Sequence, residues 1–86
     1  MARARDDRLP LVTMYSRRRC GLCDAARDVI LGALSEVEFE FEELFIDEND
    51  DLEGRYGLRV PVVLVDGDER FETEVDGAEL RATLRN

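Results

Sequence analysis

A run of strand formers, Leu9-Pro10-Leu11-Val12-Thr13-Met14-Tyr15, gives way to a helix-like segment, and the chain's two cysteines stand at the junction as Cys20-Gly21-Leu22-Cys23. This junction restricts the fold more than any other stretch. From Cys20 to Leu34 the apolar residues Leu22, Ala25, Ala26, Val29, Ile30, Ala33 and Leu34 recur at the i, i+3, i+4, i+7 spacing of an amphipathic helix. Asp24, Arg27 and Asp28 occupy its other face. Phe39 to Ile46 follows as a second strand, with Phe39, Phe41 and Phe45 on one parity and Leu44 and Ile46 on the other. Apolar residues on both parities predict cover on both faces for part of its length. A strand–helix–strand start of this kind favours parallel strands joined by a right-handed crossover.

The remaining elements are shorter. Asn49 to Tyr56 reads as a short helix that Asn49 or Asp50 caps and Gly57 ends. Val60-Pro61-Val62-Val63-Leu64-Val65 is the most apolar run and reads as a central strand. Asp66-Gly67 is a turn, and Arg70 to Val75 returns as its hairpin partner. Asp76-Gly77-Ala78-Glu79 has the form of a capping box that opens a last helix through Leu80 and Leu84. The order is therefore β-α-β-α-β-β-α, an α/β chain with a closing antiparallel pair.

At 86 residues the chain fits one domain, assigned to residues 9–86, preceded by an arm over residues 1–8. No apolar run approaches the roughly 20 residues needed to span a bilayer, so no membrane partner is expected. Met1 to Arg8 alternates Arg and Asp with no apolar stretch behind it, unlike a signal peptide, and a cytoplasmic location is expected. A net charge of −9 argues against a nucleic-acid partner. The charge is uneven: Arg17, Arg18 and Arg19 run together before Cys20, whereas Glu36 to Asp51 is acidic and reads as a solvated surface.

The cysteine spacing carries the chemistry. At a helix start the first sulfur meets unpaired backbone N–H groups and the positive end of the helix dipole, which favour a thiolate at neutral pH. The second lies one turn on, within reach of a mixed disulfide formed at the first. No His is present to act as a base, so electrostatics must activate the sulfur. The adjoining Arg18 and Arg19 are candidates for stabilising the thiolate, or else belong to a solvated loop. Other readings of the pair remain. Half of a zinc site would need ligands beyond the two cysteines. A structural disulfide closing so short a loop would restrict the unfolded chain little. An iron–sulfur cluster shared between two chains also uses thiolates. Pro61 is a further irregularity: it is either the first residue of its strand or follows a cis bond that leaves the backbone of Val60 free to pair with an extended substrate.

Together, Tyr15-Ser16-Arg17-Arg18-Arg19-Cys20-Gly21-Leu22-Cys23, Arg59-Val60-Pro61 and the β-β-α tail resemble the glutaredoxins, most closely their short bacterial relatives. The resemblance spans residues 9–86. It implies a thioredoxin-like fold with a four-stranded mixed sheet in order 2-1-3-4 flanked by three helices, and a cis bond before Pro61. It implies thiol–disulfide oxidoreduction in cell redox homeostasis, with Cys20 as nucleophile and Cys23 as resolving thiol. The substrate would be a disulfide-containing protein or a low-molecular-weight thiol. Glutathione would serve as co-substrate, held by Arg17, by the main chain of Val60 beside Pro61, and by Asp76, which also fits a plain capping role. No tightly bound cofactor or metal and a monomeric state are expected; a dimer around a [2Fe–2S] cluster, or an interaction domain without strong catalysis, are the alternatives. Two positions depart from the family pattern. Gly21-Leu22 replaces the usual Pro-Tyr between the cysteines, and Glu74-Val75-Asp76-Gly77 stands where the family carries Gly-Gly.

Overall fold

The computed structural model describes residues 8–85. The arm expected over residues 1–8 lies outside that range except for Arg8, which is exposed. The elements are β1 (Leu11–Ser16), α1 (Gly21–Ala33), β2 (Glu40–Phe45), α2 (Asp50–Tyr56), β3 (Val62–Val65), β4 (Asp68–Glu72) and α3 (Gly77–Arg85). The sheet runs β2-β1-β3-β4, with β1 parallel to β2 and antiparallel to β3, and β3 antiparallel to β4. This is the thioredoxin-like topology that the resemblance implies.

Parity along β1 divides the core. Val12 and Met14 face one side and join Ala26, Ile30 and Ala33 of α1, Val63 and Val65 of β3, and Leu80 and Leu84 of α3 in the larger cluster. Tyr15 faces the other side, where Tyr56 of α2 joins Ile46 and Val62 in a smaller cluster. The Tyr15 and Tyr56 rings stack there with centroids 4.4 Å apart. Full burial of a side chain such as Ile30 is worth about 1.5–3 kcal/mol, so the larger cluster supplies most of the apolar stabilisation.

Three expectations shift. First, β4 begins and ends earlier than Arg70 to Val75. Asp66 and Gly67 both take positive φ, 51° and 89°, the two-residue turn whose twist suits a hairpin, so Asp68 already pairs with Val65. The strand stops at Glu72 because Thr73 has φ 73° and its N–H turns to the carbonyls of Arg59 and Pro61. Second, β2 is an edge strand with less cover than its two-parity pattern predicts. Phe39 and Ile46 are buried just outside its ends, but Leu44 and Phe45 are exposed. Third, Gly57 ends α2 without a left-handed turn: its φ is −54°. Close approach requires glycine here, since a Cβ would lie 2.5 Å from the Glu53 carbonyl oxygen. The N-caps form, without a return bond from Asp76 N–H to the Glu79 side chain among the described residues. Asn49 accepts from Leu52 N–H at 3.0 Å, and Asp76 accepts from Glu79 N–H at 3.1 Å.

Candidate active site

β1 delivers the chain to the cysteine pair, and α1 begins within it. Cys20 is the N-cap of α1: its backbone is extended, with φ −124°, and its Sγ accepts the Cys23 N–H at 3.1 Å. Cys23 falls on the core-facing side of the first turn. The two are joined as a disulfide with their Cα atoms 5.2 Å apart. Their environments differ sharply: Cys23 is fully buried, whereas Cys20 is partly exposed. Cys20 is therefore the accessible residue of the pair, and Cys23 is shielded. Leu22 between them is 47% exposed.

Val60 and Pro61 lie at the same end of the sheet, because Tyr15 at the end of β1 pairs with Val62 at the start of β3. The Val60–Pro61 bond is cis. Among the described residues, neither the N–H nor the C=O of Val60 enters a hydrogen bond, whereas Pro61 O accepts from Thr73 N–H at 2.8 Å. Arg59 anchors the segment. It bonds Glu69 and Glu72 of β4 at 3.0 and 2.9 Å, reaches the Arg55 carbonyl, and lies over the Tyr56 ring.

The arginines before Cys20 are largely committed elsewhere. Arg17 forms a two-pronged ion pair with Glu53 at 2.7 and 2.6 Å and donates again to Gly57 O at 3.0 Å. Its bonds with Glu53 raise the Arg17 pKa and lower that of the carboxylate. Arg17 thus stands as a tether between the strand end and α2. Arg18 gives its N–H to Asp47 and sets its guanidinium 5.8 Å from the Phe45 ring, toward the β2 edge. Arg19 is exposed, with φ 57°. Asp76, also implied to hold glutathione, has a carboxylate engaged in capping α3.

A second polar network is one that the sequence does not announce. Glu43 on β2 accepts Arg27 Nε at 2.7 Å and Nη2 at 2.6 Å, and also the hydroxyl of fully buried Ser16 at 2.7 Å. Arg27 turns its remaining prong to Asp24, directly after Cys23. The bonds from Arg27, aided by Ser16, hold Glu43 below the usual carboxylate range against the opposing effect of burial. The helical pattern alone places Arg27 on the solvent face. The one hint otherwise is the Glu42-Glu43 doublet interrupting the apolar pattern of the second strand.

An open groove of about 220 Å³ runs beside the pair, lined by Leu22, Ala25, Ala26 and Val29 of α1 and by Thr73, Glu74 and Val75. Among the described residues, no cluster of three or more His, Cys, Asp or Glu side chains is placed to hold a metal ion, and no helix is long and apolar enough to cross a membrane.

Comparison with known proteins agrees with this architecture. The family model described as "Glutaredoxin-like domain (DUF836)" matches residues 11–85. The uncharacterized protein Rv0508 of Mycobacterium tuberculosis (strain ATCC 25618 / H37Rv) is 32% identical over 80 residues, covering 87% of this chain and 82% of the relative. The crystal structure of protein XcR50 from X. campestris superposes with a TM-score of 0.72 at 39% identity, covering 86% of this chain and 95% of the other. A mutant thioredoxin from Halobacterium salinarum NRC-1 shares the fold, with a TM-score of 0.62 at 24% identity over 92% of this chain and 74% of its own.

Proposed function

The chain belongs to the glutaredoxin-like family and has a thioredoxin fold, and from that premise we propose that it is a thiol–disulfide oxidoreductase working through Cys20 and Cys23. One observation carries the reading: a partly exposed Cys20 caps a helix while its partner Cys23 is buried one turn on. In the reduced protein, the Cys23 N–H and the helix dipole stabilise a thiolate at Cys20. That thiolate attacks a substrate disulfide, forms a mixed disulfide and releases one substrate thiol. Cys23 then loses its proton and attacks Cys20 Sγ, which frees the second substrate thiol and restores the Cys20–Cys23 disulfide. Two electrons pass from the dithiol to the substrate. Burial keeps Cys23 from reacting with bulk disulfides, so the order of attack is set by access.

The unpaired main chain of Val60 supports this reading by offering a donor and an acceptor to an extended substrate segment at the end of the sheet. The test is direct. The reduced protein, mixed with excess hydroxyethyl disulfide, is expected to release two equivalents of mercaptoethanol, whereas Cys23→Ser stops at a stable adduct on Cys20. A wild-type protein that leaves the disulfide intact would contradict the proposal.

A further inference from the structure

The two outer strands of the sheet end differently. The pairing of β4 with β3 slips between Val63 and Leu64, and Thr73 closes the strand by turning its N–H to Arg59 O and Pro61 O. In contrast, β2 keeps one register with β1 along its six residues, and among the described residues no strand lies beyond it. A regular edge of that kind is a template for one more strand. The bonds at its two ends give its polarity: Glu40 N–H donates to Pro10 O at 2.8 Å, and Ile46 N–H donates to Ser16 O at 2.9 Å. Successive residues of a strand point their main-chain groups to opposite sides. Glu40, Glu42 and Leu44 therefore bond to β1, and Phe41, Glu43 and Phe45 turn their N–H and C=O outward.

The two sides of this edge differ in character. On the α1 side, Arg27 reaches down to Glu43, and Leu31 and Leu34 follow Arg27 at i+4 and i+7. They stand on the same stripe of the helix, above the space beyond β2, and both are exposed. Phe45 is exposed at the other end of this side. Between them the Glu43 charge is closed off by Arg27 and Ser16. On the opposite side Glu40, Glu42 and Leu44 are exposed, and Glu42 holds the Thr13 hydroxyl at 2.8 Å. Charge decides between occupants. A second copy would bring its own Glu40 and Glu42 to that side, and like charges across a strand pair are destabilising. A strand with basic residues there meets opposite charge, and the aliphatic stem of an arginine covers Leu44.

We propose that the β2 edge is a docking surface for a polypeptide partner: an extended segment that alternates apolar and basic side chains adds to the sheet as a fifth strand. Its main chain pairs with that of Phe41, Glu43 and Phe45. Its apolar side chains lie toward Leu31, Leu34 and Phe45, and its basic side chains lie beside Glu40 and Glu42. This surface is separate from the groove at the cysteine pair, and docking there does not depend on the chemistry at Cys20.

The experiment uses two peptides of equal charge and composition. Oxidised full-length protein is titrated, at about 0.15 M salt, with acetyl-Arg-Val-Arg-Val-Arg-Val-amide and with its block isomer acetyl-Arg-Arg-Arg-Val-Val-Val-amide. The alternating peptide is expected to bind about tenfold more tightly, the effect of seating its valines against the exposed leucines. In its complex the amide protons of Phe41, Glu43 and Phe45 should exchange about tenfold more slowly, while those of Glu42 and Leu44, already bonded to β1, keep their rates. Phe45→Pro removes an outward donor and spares the ladder to β1, and should weaken binding about tenfold. The double variant Leu31→Ser, Leu34→Ser changes two exposed positions and should erase the advantage of alternation. Glu42→Gln should weaken binding about threefold, as for an exposed charge pair. Absence of binding, equal affinities for the two peptides, or slowed exchange at amides outside β2 would each overturn the inference. Sedimentation of the free protein as a dimer that Phe45→Pro dissociates would also overturn it, giving the edge to a second copy.

Discussion

The two faces of the sheet are held by different physics. The face carrying α1 and α3 is apolar and continuous, with Ile30, Met14, Val63 and Leu80 fully buried, and its one large polar group, Glu43, is closed off by Arg27 and Ser16. The face beneath α2 has a three-residue core, a tyrosine stack, and ion pairs at its rim formed by Arg17 and Arg59. The helix that carries the cysteine pair is thus seated on the apolar face. The approach to Cys20 and the Val60–Pro61 segment, by contrast, are fastened to the thinner face by arginines. The difference teaches how such a site is divided: the cysteine pair is fixed by packing, and the segments beside it are fixed by polar ties that are easier to shift.

The largest expected contrast comes from matched truncations on the two faces. Ile30→Ala should cost about 3–4 kcal/mol in urea unfolding, the loss of a fully buried aliphatic side chain plus its cavity. Leu52→Ala, at a half-buried position of α2 packed against the smaller cluster, should cost about 1 kcal/mol. Comparable losses at both sites would erase the distinction between the faces.

A smaller contrast separates the two Arg–Glu pairs. The Glu43 side chain is 14% exposed and that of Glu53 35%, so removing the partner leaves a poorly hydrated charge only at Glu43. Arg27→Gln should therefore destabilise the protein by about 2 kcal/mol, and Arg17→Gln by clearly less, with its effect concentrated on the reactivity of the loop before Cys20. Equal unfolding midpoints for the two variants would show that the pairs do not differ in this way.

The pH dependence sharpens the same point with a finer effect. Glu43 has a lowered pKa in the folded protein, so its contribution is fully present above the ordinary carboxylate range and is lost as pH falls through its folded value. Stability should decline as pH falls below the ordinary carboxylate value of 4.5, and Glu43→Gln should decline less steeply there. Parallel curves for wild type and variant would contradict the role given to the Arg27–Glu43 pair.

Much of this arrangement is legible in the residues. The 3.6-residue periodicity from Leu22 to Leu34 places the helix and its buried Ala26, Ile30 and Ala33, although Leu22, Ala25 and Leu34 of the same stripe are exposed; Asp66-Gly67 fixes the hairpin, because each signal depends only on neighbours along the chain. Asn49 and Asp76 are readable as caps for the same reason. What escapes depends on distant partners. Arg17 is 36 positions from Glu53 in the chain and Arg27 is 16 from Glu43, and nothing in their own neighbourhoods distinguishes a solvated arginine from a tether. The exposure of Leu44 and Phe45 likewise follows from the outer place of β2 in the sheet, which its own alternation does not encode. The groove wall at Thr73 escapes because a β-branched residue at positive φ runs against local preference.

The proposed chemistry depends on the contrast between the two sulfurs, and the pH profile of alkylation measures it most directly. Reduced Cys23→Ser, treated with iodoacetamide across pH 4–10 and followed by mass at Cys20, is expected to show a half-maximal rate well below the ordinary cysteine value of about 8.5, while Cys20→Ser leaves Cys23 slow to react throughout. A midpoint at Cys20 of about 8.5 or higher, or equal reactivity of the two sulfurs, would contradict the assignment of an activated, solvent-facing nucleophile backed by a buried resolving thiol.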